Sequence, residues 1–290
     1  MTVPLQNITS LSIDALVFDN NKYILQEVSG LESPLIRLPR YNLPGSSGAF
    51  ISNALYGERS IKIKGVVNSE DGTRATYINN RLALVNALAI KRSISDVLEY
   101  QTMTIGLQNG LTVSTQVIMD TPLSMGFSPE NTDYEEFQMT FVAPDPRLYS
   151  TTQSIYNVSL SSGNGGTAIP TPIPISLLPS SGGFVNVYNQ GAYFVNPIIT
   201  LSAPLTNPYL YNNALSKFFK LNYTTAVGDS NIIINMANQT VYKGTTDISN
   251  YIVPGSEFWG LTVGSNTIGF SANAGSGQAQ IAFYPAYIGV

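Results

Sequence analysis

The stretch Met103-Thr-Ile-Gly-Leu-Gln-Asn-Gly-Leu-Thr-Val-Ser-Thr-Gln-Val117 decides the fold class, because its apolar side chains alternate on both sides of a turn. Alternation with a period of two is typical of a half-buried β-strand. A two-residue Asn-Gly loop would place the two apolar rows on opposite faces of the hairpin. A three-residue loop, Gln108-Asn109-Gly110, pairs Ile105 with Val113 and keeps one face apolar. We therefore predict this loop, with Gly110 in the left-handed conformation.

One segment of the first half has a helical pattern. From Thr73 to Ile90, apolar residues recur at helical spacing and form one stripe. Asp71 or Thr73 can cap the start, and Lys91-Arg92 suits the negative end of the helix dipole. The stripe consists of Ile78, Leu82, Val85 and Ala89. Strands are predicted at Ile24–Ile36, Ser60–Val67 and Tyr134–Val142.

The second half has the pattern of short strands, with no convincing helix. Its apolar runs are separated by Gly, Asn, Asp or Pro, which are turn residues. Short strands with turn signals between them predict a β-sandwich. The predicted strands are Phe184–Tyr188, Ile198–Ala203, Lys217–Tyr223, Ser230–Asn235, Thr240–Tyr242, Thr267–Ser271 and Gln278–Tyr284.

Charge divides the chain into two parts. The first 150 residues hold 26 of the 32 charged side chains, and the second part is neutral overall. Such a shift indicates a domain boundary. Between the parts, Ser161–Gly166 has the composition of a flexible linker, and Ile169–Pro174 that of a stiff extended one. We predict an all-β protein with one helix: a β-domain at 1–150, a linker at 151–166 and a second β-domain at 167–290.

Composition favours a structural protein that assembles. Charged residues make up 11% of the chain, against about 25% in typical proteins. Buried subunit interfaces explain this better than a surface of Ser, Thr and Asn. The chain has no His and no Cys, which excludes Ser-His and Cys-His catalysis and zinc sites built from those ligands. The net charge of −4 argues against wrapping of nucleic acid, and neither a signal peptide nor a membrane span is expected.

Three stretches of the first half carry a family resemblance. Leu11-Ser-Ile-Asp14, continuing to Pro34-Leu-Ile-Arg37, resembles the N-terminal strand and loop of the distal tail proteins of siphophages that infect Gram-positive bacteria. Gly57-Glu-Arg-Ser-Ile-Lys-Ile-Lys-Gly65 resembles the strand with their recurrent Arg-x-Ile element. Phe141-Val-Ala-Pro-Asp-Pro-Arg-Leu-Tyr149 is similar to the motif that closes their first domain.

The second half resembles the C-terminal domain of the same tail components. The resemblance rests on the order and spacing of several short motifs across nearly the whole half. A second Trp often accompanies the first in that family, whereas here Phe258 precedes Trp259. The motifs are Asn189-Gln-Gly191, Pro197-Ile-Ile-Thr-Leu201, Asn207-Pro208, Val227-Gly-Asp229, Thr240-Val-Tyr242, Phe258-Trp-Gly-Leu261 and Gly264-Ser-Asn266.

The resemblance implies a baseplate hub at the tip of a phage tail. It implies that the first domain closes into a homo-hexameric ring and that the second is an outer, galectin-like β-sandwich. The ring would join the tail tube protein above to the tail-tip protein below, with receptor-binding protein outside and a channel through which DNA passes. No catalytic residue, cofactor or metal site is implied.

Charged residues offer a candidate subunit interface. Basic side chains gather between positions 59 and 92, and acidic ones between 130 and 136. They can pair between subunits, or they can form a solvated face on which each exposed pair contributes about 0–1 kcal/mol. Spacing does not distinguish the two interpretations. The candidates for the interface are Arg59, Lys62, Lys64, Arg81, Glu135 and Glu136.

An alternative function is a carbohydrate-binding adhesin that recognises a host cell-wall glycan with the second domain. Trp259 and Tyr251 are the candidate sugar contacts, although aromatic residues at strand spacing are more often core. Because Trp259 shares a strand face with Leu261, we predict that Trp259 is buried. A glycosidase needs two carboxylates across a cleft, and the few acids of this half are better explained as turn residues. Asp14, Asp19, Asn20 and Asn21 lack the calcium-loop pattern and also indicate turns.

Overall fold

The structure is a computed structural model that describes residues 2–3, 7–45, 47–89, 97–126, 134–160 and 183–290. The chain divides into two units. Unit 1 comprises Met1–Thr151 together with Tyr287–Val290, and unit 2 comprises Thr152–Ala286. The described part of the chain is β-structure with one α-helix, which confirms the predicted fold class. No helix in this part is long and apolar enough to cross a membrane.

Unit 1 is built on antiparallel strands that follow the order β1-β4-β9-β12-β11-β10-β2-β3, with β13 paired to β11. The elements are β1 (Thr2–Val3), β2 (Ile8–Ile13), β3 (Leu16–Phe18), β4 (Tyr23–Ser29), β5 (Ile36–Arg37), β6 (Arg40–Asn42), β7 (Ala49–Ile51), β8 (Leu55–Tyr56), β9 (Arg59–Asn68), α1 (Arg74–Ala87), β10 (Gln101–Leu107), β11 (Thr112–Met125), β12 (Tyr134–Ala143) and β13 (Leu148–Ser150).

Strand β11 joins the two layers of this unit. Its first half pairs with β10, and its second half pairs with β12 across two register shifts. Alternate residues of β9 and β12 face inward, so that Ile61, Ile63, Phe137, Met139 and Phe141 are buried. They pack in one core with the inward residues of β2 and β10.

The predicted hairpin is confirmed in detail. Ile105 lies opposite Val113, and the Leu107 amide donates to the Leu111 carbonyl at 2.9 Å. Gly110 closes the loop with φ of 82°, in the left-handed region where a side chain is strained.

Helix α1 packs with a different face from the predicted stripe. Thr73 caps it, as predicted, by accepting from the Thr76 amide. The helix buries Tyr77, Asn80 and Leu84, and Leu88 at its end is also buried. The spacing prediction identified apolar positions correctly, but Ile78, Leu82, Val85 and Ala89 are all exposed. Lys91 and Arg92 lie outside the described residues.

Unit 2 contains two main antiparallel sheets. One has the strand order β14-β26-β16-β21-β22-β23 and the other β15-β24-β18-β19, with a smaller sheet β20-β17-β25. The strands are β14 (Ser154–Ser159), β15 (Gly183–Asn189), β16 (Ile198–Leu201), β17 (Leu205–Thr206), β18 (Tyr209–Asn212), β19 (Lys217–Lys220), β20 (Thr224–Thr225), β21 (Ile232–Asn235), β22 (Thr240–Lys243), β23 (Thr246–Asp247), β24 (Gly264–Ser271), β25 (Ala274–Gly275) and β26 (Gln278–Phe283); a 3-10 helix spans Ser249–Tyr251. The last strand, β27 (Ala286–Tyr287), begins the segment that returns to unit 1 and pairs with β13.

Each main sheet buries one face, which makes unit 2 a β-sandwich. Ile199, Ile234 and Ile281 are buried from the six-stranded sheet, and Leu210 and Phe270 from the four-stranded one. The linker expected at 151–166 needs a correction, because β14 lies in it and pairs with β26 as part of the sandwich. The remainder of that segment, from residue 161, lies outside the described residues.

Candidate functional site

The most exposed apolar surface of unit 1 is a two-stranded arm, residues Leu35–Tyr56. Every described residue of the arm is exposed except Ser52, which is half-buried. Tyr41 and Phe50 are 62% and 60% exposed, and they lie opposite each other in the pairing of β6 with β7. The other exposed large apolar side chains of the arm are Leu35, Ile36, Leu38, Leu43, Ile51, Leu55 and Tyr56.

The arm pairs only with itself among the described strands. Ile36 lies opposite Tyr56 at its base, and the Gly57 amide donates to the Leu35 carbonyl at 2.7 Å. An isolated two-stranded hairpin is at best marginally stable in water, and such an apolar surface marks an interaction site. The arm therefore needs a second surface to pack against. Its only charged residues, Arg37 and Arg40, are both basic.

The exposed stripe of α1 forms a second apolar surface. Beside it lies a cavity of about 440 Å³ between the helix and the second half of β11. Methionine side chains adapt their shape to a partner, which suits such a groove to binding. Asp120, on the same stretch of β11, is exposed. The lining residues are Arg81, Val85, Leu88, Ala89, Met119, Pro122, Leu123 and Met125.

Arg59 is not a surface charge, and its assignment to a subunit interface is wrong. The side chain is fully buried in unit 1. Its guanidinium donates to the carbonyl oxygens of Pro146 at 2.9 Å and Gly30 at 2.7 Å, and also to that of Ile288. Burial lowers the pKa of Arg59 to about 10, and the Glu32 carboxylate acts in the opposite direction. The arginine thus holds three backbone segments together inside its own unit.

Three of the other predicted charges find partners in their own chain. Lys64 pairs with Glu27 at 2.5 Å, and Arg81 lies 3.5 Å from Glu135. Glu135 is buried and also accepts a hydrogen bond from the Tyr77 hydroxyl. This hydrogen bond, after the effect of burial, raises the pKa of Tyr77 to about 12. The contact of Arg81 with Glu135 therefore joins the basic and acidic sets within one subunit.

Lys62 and Glu136 are the two remaining candidates for an interface. They lie on the adjacent strands β9 and β12, and Glu136 is exposed. Glu130 and Asp133, which complete the acidic run, lie outside the described residues. The role of Lys62 and Glu136 in an interface stays a prediction.

Trp259 is unsuitable as a sugar contact. It is 3% exposed, and Leu261 is also buried. Burial is as predicted, but the expected strand is absent, because residues 256–260 are irregular and Leu261 forms only an isolated bridge with Val195. The indole Nε1 is buried and has no hydrogen-bond partner among the described residues. Phe258 packs on Phe219 at 4.9 Å between ring centroids. Trp259 is therefore buried in unit 2, and Phe258 is half-buried beside it.

Tyr251, the second candidate sugar contact, is exposed. Its ring meets Tyr223 edge to face at 4.9 Å, and the Lys243 ammonium lies 5.6 Å from the Tyr223 ring centre. Lys243 also pairs with Asp229 at 3.1 Å. Tyr251 is 42% exposed, so its role as a sugar contact stays a prediction.

The acidic residues of the described ranges form no group suited to a metal ion. Asp19 accepts hydrogen bonds from the amides of Asn21 and Lys22, which is the geometry of a turn. Asp229 caps a turn by accepting from the Ala226 amide.

Comparison with known proteins found a family model that matches part of the chain and a solved structure with the same fold. Residues 190–287 match the family model described as the siphovirus-type tail component, C-terminal domain. No curated protein sequence matches the chain. Among solved structures, the Dit protein of phage SPP1, described as a paradigm of the hub adsorption apparatus in phages that infect Gram-positive bacteria, aligns with a TM-score of 0.67.

The alignment with SPP1 Dit covers 94% of this chain and 98% of that one at 16% identity, which shows a common fold. The phage P2 baseplate, activated with calcium, aligns with a TM-score of 0.47 at 12% identity over 92% of each chain. Its strontium-activated form gives 0.46 at 12% identity, over 94% of this chain and 97% of that one.

Proposed function

We propose that this chain, whose residues 190–287 belong to the siphovirus-type tail component C-terminal domain family, is a phage distal tail protein that forms the baseplate hub. The shared fold with SPP1 Dit supports the proposal over nearly the whole chain. The protein would lie at the tip of the tail in the virion. It would act as a structural part and not as an enzyme.

The observation on which the proposal rests is the arm of unit 1. The arm is an apolar hairpin, and the α1 stripe and β11 form an apolar groove elsewhere in the same unit. These two different surfaces suit head-to-tail association of copies of the chain. Such an interface uses two different patches, so repeated association generates a closed ring when the rotation allows it. The basic Arg37 and Arg40 of the arm complement the acidic Asp120 near the groove. We propose that the arm of one copy lies in the groove of the next.

The ring is proposed to be a homo-hexamer that joins the tail tube protein to the tail-tip protein and carries receptor-binding protein outside. DNA would pass through its channel without sequence-specific contacts. We also propose that unit 1 forms the ring and that unit 2 is a galectin-like domain outside it.

Light scattering and negative-stain microscopy of the full chain test this function. We expect six-fold rings from the wild type and smaller species from Tyr41→Ser combined with Phe50→Ser, because both side chains are exposed and their loss removes apolar contact area. Val227→Ser is the matched control, since Val227 is 85% exposed but lies in unit 2. A wild-type protein that stays monomeric at every concentration would contradict the hub. Rings that survive the arm substitutions unchanged would contradict the role of the arm.

A further inference from the structure

The four-stranded sheet of unit 2 has an aromatic row on its outward face. Because side chains alternate along each strand, Leu210 and Phe219 point inward and are buried. Their neighbours on the strands point outward. The cross-strand register places Phe184 beside Gly269, Gly269 beside Tyr211, and Tyr211 beside Phe218. The row thus crosses all four strands, over about 14 Å at the usual strand spacing.

The glycine at position 269 makes the row flat. A Cβ atom there would lie 2.9 Å from Cε1 of Phe184, so the ring would have to shift to admit a side chain. The Phe184 ring therefore lies over the glycine backbone, and it is 71% exposed. A large apolar ring held against a strand with its outer face in water offers a stacking surface.

Tyr209 widens the row at its other end. Its ring stacks on Phe218 with 5.7 Å between centroids and 24° between the ring planes. Burial, followed by the neighbouring Tyr211, raises the pKa of Tyr209. Two phenolic hydroxyls therefore accompany the stacking rings.

Apart from Tyr188, which is 56% exposed on β15, the rest of this face is polar and nearly uncharged. Asn186, Thr267 and Ser271 point outward beside the row, and Lys220 is the one charge among the outward residues of the four strands. The adjacent Lys217 is neutralised by Glu257 at 2.7 Å. The outward residues of this sheet include no aliphatic side chain. A strongly charged ligand would find few side chains of opposite charge on this face. A neutral ligand does not need such partners.

The other main sheet has a different outward face. Ile155, Ile198 and Ile233 are exposed there. Aliphatic side chains suit packing against another protein, whereas aromatic rings set among hydroxyl and amide groups suit a ligand with apolar faces and a hydroxylated rim. Sugar rings have this chemistry, since their C–H faces stack on aromatic rings and their hydroxyls form hydrogen bonds.

We propose that the row Phe184, Gly269, Tyr211 and Phe218, with Tyr209, is a binding site for a neutral polysaccharide. This activity is additional to hub assembly and does not depend on it. The site differs from the Trp259 and Tyr251 pair considered from sequence, and it lies on one sheet face of one unit. Phe184 and Tyr211 would stack on successive parts of the chain of sugars.

The full-length protein can be tested on a glycan array that spans neutral hexose, N-acetylhexosamine and deoxyhexose polymers, with hyaluronate as an anionic comparison. We expect retention on neutral glycans, at least a tenfold loss of affinity in Phe184→Ala, and a comparable loss in Tyr211→Ala. Tyr251→Ala is the matched control, because it removes an exposed ring that lies off the row. Circular dichroism establishes that each variant is folded, and Phe184→Ala is the safest because its ring is the most exposed.

Absence of binding to every neutral glycan would overturn the proposal, as would equal binding by Phe184→Ala and Tyr251→Ala. If Phe184→Ala abolishes ring assembly while glycan retention is unchanged, the face is a protein interface and the proposal also fails. Ring formation by the wild type, seen by microscopy, separates failure of glycan binding from failure of the hub function.

Discussion

The guanidinium of Arg59 donates a hydrogen bond to the carbonyl oxygen of Ile288, which is 229 positions later in the chain. The same arginine binds the carbonyls of Gly30 and Pro146, so one side chain joins three distant backbone segments of unit 1. These contacts explain why a basic residue at the start of β9 is fully buried. A cation satisfied by several carbonyls tolerates burial that an unpaired one would not.

Replacing this arginine should destabilise unit 1 severely. Arg59→Leu leaves three buried carbonyl groups without a donor, and we expect a loss of at least about 3 kcal/mol in the free energy of unfolding. Arg74→Leu is the control, since Arg74 is an exposed arginine at the start of α1. Denaturant unfolding measures both. Equal midpoints for the two variants would show that the carbonyl contacts are unimportant.

The orientation of helix α1 can be tested with two neighbouring leucines. Leu84 is fully buried and Leu82 is 57% exposed. Leu84→Ala should therefore cost about 2–5 kcal/mol, whereas Leu82→Ala should change the unfolding free energy by less than about 0.5 kcal/mol. The reverse order would mean that the stripe inferred from spacing faces the core.

The hairpin loop requires a residue that can adopt the left-handed conformation at position 110. Because φ of Gly110 is 82°, Gly110→Val should destabilise unit 1 by about 1–2 kcal/mol. Gly110→Asn serves as the control, since Asn tolerates the left-handed region and should cost clearly less. The thermal unfolding midpoint of each variant decides the matter, and an unchanged midpoint for the valine variant would exclude the loop geometry.

Because Trp259 is buried, the stability of unit 2 should depend on its side chain. We expect Trp259→Ala to cost about 3–5 kcal/mol, as for other buried aromatic residues. Trp259→Phe should cost much less, because the buried Nε1 has no partner among the described residues and its removal breaks no hydrogen bond there. Both substitutions remove the single tryptophan of the chain, so circular dichroism is the measurement. A folded alanine variant with the wild-type midpoint would place the ring at the surface.

Asp71 should make the stability of unit 1 depend on pH in the acid range. It accepts hydrogen bonds from the hydroxyls of Thr76, Ser69 and Thr73 and from the Thr73 amide. These bonds, the one from Thr76 foremost, hold the pKa of Asp71 well below its usual range. The contribution is therefore complete above the unfolded value of about 3.9 and is lost as pH falls below it.

Asp71→Asn should remove part of this dependence. Between pH 5 and pH 2.5, the urea midpoint of the wild type should fall more than that of the variant. Asp120→Asn is a matched control, because Asp120 is an exposed carboxylate of the same unit. Parallel pH profiles for the wild type and Asp71→Asn would contradict the assigned role.

Local pattern was enough to predict most of the longer strands and one turn. The run predicted at Ile24–Ile36 is a strand only as far as Ser29, where β4 ends. Alternation identified β10, β11 and β12, and register arithmetic predicted the pairing of Ile105 with Val113 because a single slip would reverse every side chain. The seven runs of the second half are all strands. Strand β18 was missed, since its alternation of Tyr209, Leu210 and Tyr211 lacks polar residues and hides the period of two.

Features that depend on distant parts of the chain could not be predicted. The stripe of α1 has the right spacing, but which face packs inward depends on Tyr23 and Glu135, which bond to the helix from other elements. Arg59 was predicted at the surface because it is charged. The local sequence contains no sign that its partner is the Ile288 carbonyl. The aromatic row joins residues from Phe184 to Gly269 and is visible only once the strand order is known.

The return of Tyr287–Val290 to unit 1 has a consequence for synthesis. A ribosome makes residues 1–151 first, then all of unit 2, and only then the segment that supplies the Ile288 carbonyl to Arg59. The contact between Arg59 and the Ile288 carbonyl therefore cannot form in unit 1 until the intervening unit has been translated. Subunits still on the ribosome would hold an unfinished unit 1, so the moment at which a copy becomes competent to join others is tied to completion of the whole described chain.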